Sequence, residues 1–379
     1  MTEISKKKIL FVSSVSDFYK FILNNMKICL DLGMDVSYAC NLNTRAGEEL
    51  KQVCTDLGIH LYHVEFARSP YSKQNIKAYK QLKELIEKEN FDILDTHTPM
   101  ASVISRWICK KRDMKIMYTA HGFHFFKGAP LKNWVLYYPI EKYLSKYTDI
   151  LITINKEDYQ RAKDNFKMKQ LEYILGVGID VEYFKNMQVD IEKKRHELGV
   201  SENQKILLSI GELNNNKNHR IVIEAMHKLN NSNIVYMIAG IGSKKEELQA
   251  LATKYELSEN LKLLGYRKDV AELYKIADVF VFPSKREGLS VSLMEAISSG
   301  IPCVVSDIRG NHDLIEDNIN GYTFKVRKEC NIDSLAKCIK NILNNKDIRN
   351  KFRTKNVEKS NEFSRAIIGQ KMIEIYQHL

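Results

Sequence analysis

The chain has 379 residues, of which 44% are hydrophobic and 28% charged, and its formal net charge is +11. This is too long for one ordinary core and suits two domains of ~150–200 residues each. The composition is that of a globular chain, no stretch approaches the ~18 consecutive apolar residues of a membrane span, and the basic excess is spread over both halves rather than gathered in a tail.

The first segment, MTEISKKKILFVSS, reads as a strand, with nothing resembling a signal-peptide cleavage site. Apolar β-rich runs then alternate with amphipathic ones: KILFVSSV, DVSYACN, IHLYHVE, FDILDTHT, KIMYTAHG, DILITIN and LEYILGVG. Between the third and fourth lies IKAYKQLKELIEKEN, a helical pattern with Ile76, Tyr79, Leu82, Leu85 and Ile86 on one face. From Val103 to Lys132 seven basic residues, among them Arg106, Lys110, Lys111 and Lys115, face a single acidic one, Asp113. The cluster reads either as a patch for phosphate or an anionic membrane or as a solvated helix end. His121-Gly122 follows at the exit of a strand over 115–119. That position suits function, although a lone His is also often structural. The next residues, Phe123, Phe125, Phe126 and Lys127, read as a mobile amphipathic lip or as core.

A polar, strand-poor stretch, FKNMQVDIEKKRHELGVSENQ, reads as the linker. The predicted domains are 1–185 and 186–361, and the final helix, 362–379, is free to pack back on the first. The second half repeats the alternation with KILLSIGEL, NIVYMIAG, NLKLLGY, VFVFPS, IPCVVSD and GYTFKV. Strands apolar throughout, separated by helices, give an α/β fold of two doubly wound parallel sheets, with a ligand cleft expected at the carboxyl ends of the strands.

The candidates in this half follow strand ends. After strand 205–210, Gly211 turns and a helix is expected to start near Lys217–Asn218. Lys217 with helix amides makes an anion site, and the other reading is an Asn-rich cap. Gly240-x-Gly242 lacks a third glycine and reads as a tight turn. Gly265 ends a strand, Tyr266–Arg267 lead into a helix capped by Asp269, and the exposed backbone there could hold a planar base. In REGLSVSLMEAISSGIP the helix is expected to begin near Leu289–Ser292. Glu287 then stands beside the amides of Gly288 and Leu289, with Glu295 about two turns further on. A separation of roughly 10 Å or more is too wide for two carboxylates sharing one bond-breaking step and suits a grip on one long ligand.

The seven cysteines, Cys29, Cys40, Cys54, Cys109, Cys303, Cys330 and Cys338, are scattered and free of Cys-x-x-Cys spacing, so they read as reduced thiols of a cytoplasmic chain. No Asp-x-Asp, Gly-x-Ser-x-Gly, P-loop or His-Glu-x-x-His motif is present, so neither a metal nor a cofactor is indicated.

In their order and spacing, EGLSVSLMEA, GELNNNKNH, GYRKDVAELY, ADVFVFPS and GIPCVVSDIRGNHDLI resemble the retaining, nucleotide-sugar-dependent glycosyltransferases of family 4. The resemblance covers most of the chain and is strongest over 205–325. It implies the GT-B fold of two Rossmann-like domains and a metal-independent sugar transfer, with the nucleotide-sugar a substrate rather than a cofactor. It also implies roles. Glu287 would bind hydroxyls of the transferred sugar, and Glu295 the ribose. Lys217, at the Gly211 loop, would bind the diphosphate, with Gly288, Leu289 and Ser290 lining the donor site. The backbone of Tyr266–Arg267 would hold the base, and His121 would sit beside the donor sugar. Two departures stand out. The family often has Gly-Arg where this chain has Gly211-Glu212, so another cation such as Arg220 or Arg286 would have to substitute. The turn after the first strand, SSVSDFYKF, also has no glycine.

HGFHFFKGAPLKNWVLYYPIEKYL, with the basic cluster before it, resembles a subgroup that builds bacterial capsule or exopolysaccharide units on a lipid-linked diphosphate. This implies a UDP-linked donor, a glycan or lipid-diphosphate acceptor, a peripheral place on the inner membrane face and no nucleic-acid partner. The patch would comprise Arg106, Lys110, Lys111, Lys115, Phe123, Phe125, Phe126 and Lys127. The alternatives are a nucleotide-sugar epimerase of the same fold and a catalytically silent glycan-binding subunit.

Overall fold

The structure, a computed structural model, describes residues 6–326 and 331–379; residues 1–5 of the first segment and Cys330 lie outside them. Among the described residues the strands form two parallel sheets. The first is built from β1 (Lys8–Val12), β2 (Asp35–Cys40), β3 (His60–His63), β4 (Ile93–Thr96), β5 (Lys115–Ala120), β6 (Ile150–Thr153) and β7 (Gln170–Tyr173), in the order β3-β2-β1-β4-β5-β6-β7. The second is built from β8 (Lys205–Ile210), β9 (Ile234–Ala239), β10 (Leu261–Gly265), β11 (Val279–Phe282), β12 (Cys303–Ser306) and β13 (Gly321–Phe324), in the order β10-β9-β8-β11-β12-β13. Each segment read as a strand from the sequence is one.

The strands are apolar throughout because helices cover both faces. Ile9 and Phe11 of β1 enter one core while Leu10 and Val12 enter the core on the opposite side. In each sheet the strand order reverses once, between β1 and β4 and between β8 and β11. Ligands of open α/β sheets bind at such a reversal, in the crevice outside the carboxyl ends of the strands.

The chain divides into Met1–Val177 with Ala366–Leu379, and Gly178–Arg365. The division falls before residue 185, and the stretch read as a linker carries helices Val181–Asn186 and Ile191–Glu197. Val181 and Phe184 are buried, Phe184 meets the edge of Tyr274, and Lys275 donates to the Lys185 carbonyl at 2.9 Å, so this stretch is part of the second core. The final helix, Arg365–Gln377, returns to the first unit, where Ile368, Met372, Ile375 and Tyr376 join the core of Ile9, Phe11, Ile22 and Met26.

On helix Gln74–Glu89 the inward stripe is Asn75, Ala78, Leu82 and Ile86. Ile76, expected on that face, is exposed, because it lies two residues off the i, i+4 row that meets the sheet. Asp269 does not cap the helix it precedes; its carboxylate is taken by Arg267 and Lys194 instead. Among the described residues no helix is long and apolar enough to cross a membrane.

Candidate functional site

In the second unit, β8 and β11 lie side by side (Leu207 opposite Val279), and the loops that leave them run together. A Cβ at Gly240 would sit 1.9 Å from the Gly211 carbonyl oxygen, so the turn after β9 lets the Gly211 loop lie against it only because it is glycine. The asparagines that follow do not cap a helix, which begins later than expected, at Arg220. They fasten one loop to the other. Asn214 accepts from the backbone of Asn216 and Lys217, both at 2.9 Å. The Asn216 side chain donates to the Arg286 carbonyl at 2.9 Å, and Asn218 to that of Pro283 at 3.3 Å. Lys217 is thereby aimed across the gap: its Nζ stands 2.9 Å from Glu287 Oε1, with the two side chains 19% and 14% exposed, and 4.7 Å from the centre of the Phe282 ring. Gly211 and Lys217 on one loop and Glu287 on another, 70 positions beyond Lys217, meet at the point where the strand order reverses.

Beyond Glu287, Gly288 and Leu289 complete the turn. The Ser290 side chain caps helix Val291–Ser298 at the Leu293 amide. Glu295 lies inside that helix, flanked by buried Leu293, Met294, Ala296 and Ile297. The single hydroxyl hydrogen of Tyr274 is shared between the Ser292 carbonyl at 2.8 Å and Glu295 Oε2 at 3.1 Å. Burial pushes the Glu295 carboxyl up to about 7, and the Tyr274 bond opposes that rise in part. Burial and Glu295 hold the Tyr274 phenol well above its ordinary range, so it remains a donor.

From the sequence, Arg220 and Arg286 are possible substitutes for the cation missing at Glu212. Arg220 is bound to Glu224 at 2.8 Å, and Arg286 is exposed and meets the Asn216 side chain through its carbonyl. Arg309 is the residue the sequence reading missed. Its Nε donates to the Glu287 carbonyl at 3.2 Å. Gly310 beside it has φ +81°, and a Cβ there would meet the Gly288 carbonyl oxygen at 2.2 Å. The available signal was an Arg-Gly just after strand IPCVVSD. Tyr266 and Arg267 follow β10, two strands from β8 in the sheet. Tyr266 is 57% exposed, and Arg267 is tied to Asp269 at 2.5 and 2.8 Å and to Glu197 at 3.0 Å. Gly265, just before them, forms a bridge with Gly240, which lies against Gly211.

In the first unit His121 does not stand alone. Its Nε2 lies 3.1 Å from Nδ1 of His97, which follows β4. His97 Nε2 faces Asp95 Oδ1 at 3.2 Å, and Tyr376 of the final helix donates to Asp95 Oδ2 at 2.6 Å. Asp95 and His97 are wholly buried and His121 is half-buried. Burial and the neighbouring His97 hold the His121 imidazolium well below the ordinary histidine range, so the ring is neutral. The glycine-free turn after β1 is served by Ser14, whose hydroxyl and amide both meet Thr98 Oγ1 at 2.9 Å.

The expected surface patch changes membership. Arg106 lies on the inward face of helix Pro99–Cys109, where it pairs with Glu141 at 2.6 Å and stacks over Tyr118 at 4.1 Å. Phe123 and Phe125 are core, packed with Phe166, Trp134 and Tyr138. Phe126 is half-buried, and Lys127 is exposed with its amide on Glu157. The mobile lip is therefore not formed, because the ring cluster pins the segment. Lys110, Lys111 and Lys115 remain outside it. Lys110 lies 3.3 Å over the ring of Trp107, which is 45% exposed, and both Lys110 and Lys146 lie within 6 Å of the ring of Tyr143, which is 39% exposed.

Comparison with known proteins follows the same division. A family model described as glycosyl transferases group 1 matches residues 190–359, and one described as glycosyl transferase 4-like matches residues 8–155. The putative glycosyltransferase EpsD of Bacillus subtilis (strain 168) is 34% identical over 98% of this chain and 96% of its own. The UDP-Gal:alpha-D-GlcNAc-diphosphoundecaprenol alpha-1,3-galactosyltransferase of Escherichia coli is 28% identical over 72% of each chain. Among solved structures, Anabaena Alr3699/HepE in complex with UDP superposes with a TM-score of 0.81 at 18% identity, over 98% of this chain and 100% of that one.

Proposed function

The chain belongs to the group 1 and 4-like glycosyl transferases of the GT-B fold, and from that premise we propose that it moves a sugar from a UDP-linked donor, with retention, to a lipid-diphosphate-linked saccharide in bacterial surface polysaccharide synthesis. The observation that carries the reading is the Lys217–Glu287 pair at the strand-order reversal of the second sheet. A nucleoside diphosphate leaves with growing negative charge. Lys217 has ammonium protons to spare beyond the one on Glu287, Arg309 adds a second cation, and the amides at the start of helix Val291–Ser298 add a third source of positive potential. In this reading that set stabilises departure without a metal, Glu287 takes hydroxyls of the transferred sugar, and Glu295 takes the ribose. His121 stands by the sugar as a neutral acceptor. The UDP-sugar and diphosphoundecaprenol in the name of the Escherichia coli relative, and UDP in the Anabaena structure, support the choice of donor and acceptor class.

The test is incubation with a panel of nucleotide-sugars and undecaprenyl-diphosphate saccharides, following nucleoside diphosphate release and the anomeric configuration of the product. UDP release with retention, lost in Glu287→Gln and unaffected by EDTA, is the expected result. Isomerised donor without release would indicate an epimerase, and no turnover with any donor a silent subunit.

A further inference from the structure

We propose that His97 is a positioning residue. With Asp95 and Tyr376 it fixes His121 as the Nε2–H tautomer, so that the His121 Nδ1 lone pair is the one offered to a sugar hydroxyl. This rests on the reading that His121 stands beside the donor sugar.

The assignment follows from hydrogen-bond chemistry along one chain of four side chains. Burial and Asp95 keep the Tyr376 phenol protonated, so it donates to Asp95 Oδ2 at 2.6 Å. The other carboxylate oxygen faces His97 Nε2 at 3.2 Å. The approach is off-line, yet neither atom has another hydrogen-bond partner among the described residues and both are fully buried. A carboxylate only accepts, so the proton between them sits on His97 Nε2. In the proposed state that ring carries a single proton, so His97 Nδ1 is bare and accepts. Its partner at 3.1 Å, His121 Nε2, must then carry the hydrogen. The lone pair left over on His121 is on Nδ1.

The ring planes are held as well as the protons. Phe11 lies parallel to His97 with an interplanar angle of 2°, and Phe18 meets His121 edge-on at 4.8 Å between centroids. Thr98, next to His97, has φ +46°, a conformation a β-branched residue adopts only under constraint, and Ser14 holds it there. The last member of the chain comes from the final helix, 281 positions from Asp95, so the returning C-terminus completes the arrangement around His121.

The experiment is ¹⁵N NMR of the histidine rings in the intact protein, read alongside transferase kinetics. Wild type is expected to show His121 with a protonated Nε2 and an unprotonated Nδ1. In the near-isosteric Asp95→Asn, Tyr376 still claims the side-chain oxygen and the amide NH₂ turns to His97. Both tautomers should therefore reverse, with kcat reduced by about tenfold or more and donor KM within about twofold. Adding Tyr376→Phe to Asp95→Asn frees the introduced amide to turn its oxygen to His97. The double variant should recover both the tautomer and most of kcat, which a merely structural defect would not do. An Nδ1–H tautomer of His121 in wild type, or an unchanged pattern in Asp95→Asn, overturns the proposal. The spectra do not depend on turnover: correct tautomers in a protein that transfers nothing would count against the function, and wrong tautomers in an active one against the relay.

Discussion

Glu295 is a carboxyl whose folded-state position, about 7, lies above the ordinary 4.5 because the helix around it is buried. A raised acid binds its proton more tightly in the folded state, so the unfolded chain ionises first as pH rises. Stability is therefore lost between about pH 4.5 and 7 and is level above that. Glu295→Gln removes the ionisation and should be more stable than wild type at pH 8. The difference should be absent at pH 4 and reach at most roughly 3 kcal/mol, read from melting at a series of pH values. The carboxylate that weakens the empty protein is the one proposed for the ribose. Ribose hydroxyls donate to the ionised form, so nucleotide-sugar affinity should fall as pH drops below 7 in wild type but not in Glu295→Gln, checked by calorimetric titration. Lys217 is read differently, because its proposed work is done as charge develops on the leaving group. Lys217→Ala should lower kcat by about 10²–10³-fold, with a smaller loss in Arg309→Ala, measured by UDP release.

Between elements, charge can be structural. The Arg106–Glu141 pair joins helix Pro99–Cys109 to helix Leu131–Leu144 inside the first unit, and Tyr118 donates to the same carboxylate at 3.3 Å. Arg106→Leu strands the Glu141 charge and should cost about 3–5 kcal/mol, while Arg106→Leu with Glu141→Leu should recover most of that, measured by denaturant unfolding. The final helix is held by apolar contact. Met372 is buried against the first core, and Met372→Ala should cost about 2–5 kcal/mol in unfolding of that unit. This helix carries both packing and, through Tyr376, the chain of bonds to His121, so its two roles separate only in Tyr376→Phe, which keeps the ring and loses the hydroxyl.

For the whole molecule, a basic chain with an aromatic-lysine surface at Trp107, Lys110, Tyr143 and Lys146 gives a sharper membrane test than the sequence cluster did. Lys110→Ser with Lys146→Ser should weaken binding to liposomes containing anionic lipid, most at low salt, and leave melting unchanged. Arg106 does not belong in that experiment, since its loss would report on folding. Local patterning was enough to read the strands, which are apolar runs of fixed period, and the turns, which are glycines and asparagines. The loop motifs keep a family spacing, so the two sheets were legible in the sequence, and Gly211, Lys217, Glu287, Glu295 and His121 could be named there as candidates. Folding in three dimensions was needed to settle which side of an element faces inward and which distant residues meet. A basic cluster in sequence splits when one helix turns Arg106 inward and Lys110 outward. Phe123 and Phe125 become core because Phe166 and Trp134 arrive from elsewhere. Arg309 had only its Arg-Gly as a local signal, and His97, Asp95 and Tyr376 had none, because their partners are supplied by loops and a helix that only folding brings beside them.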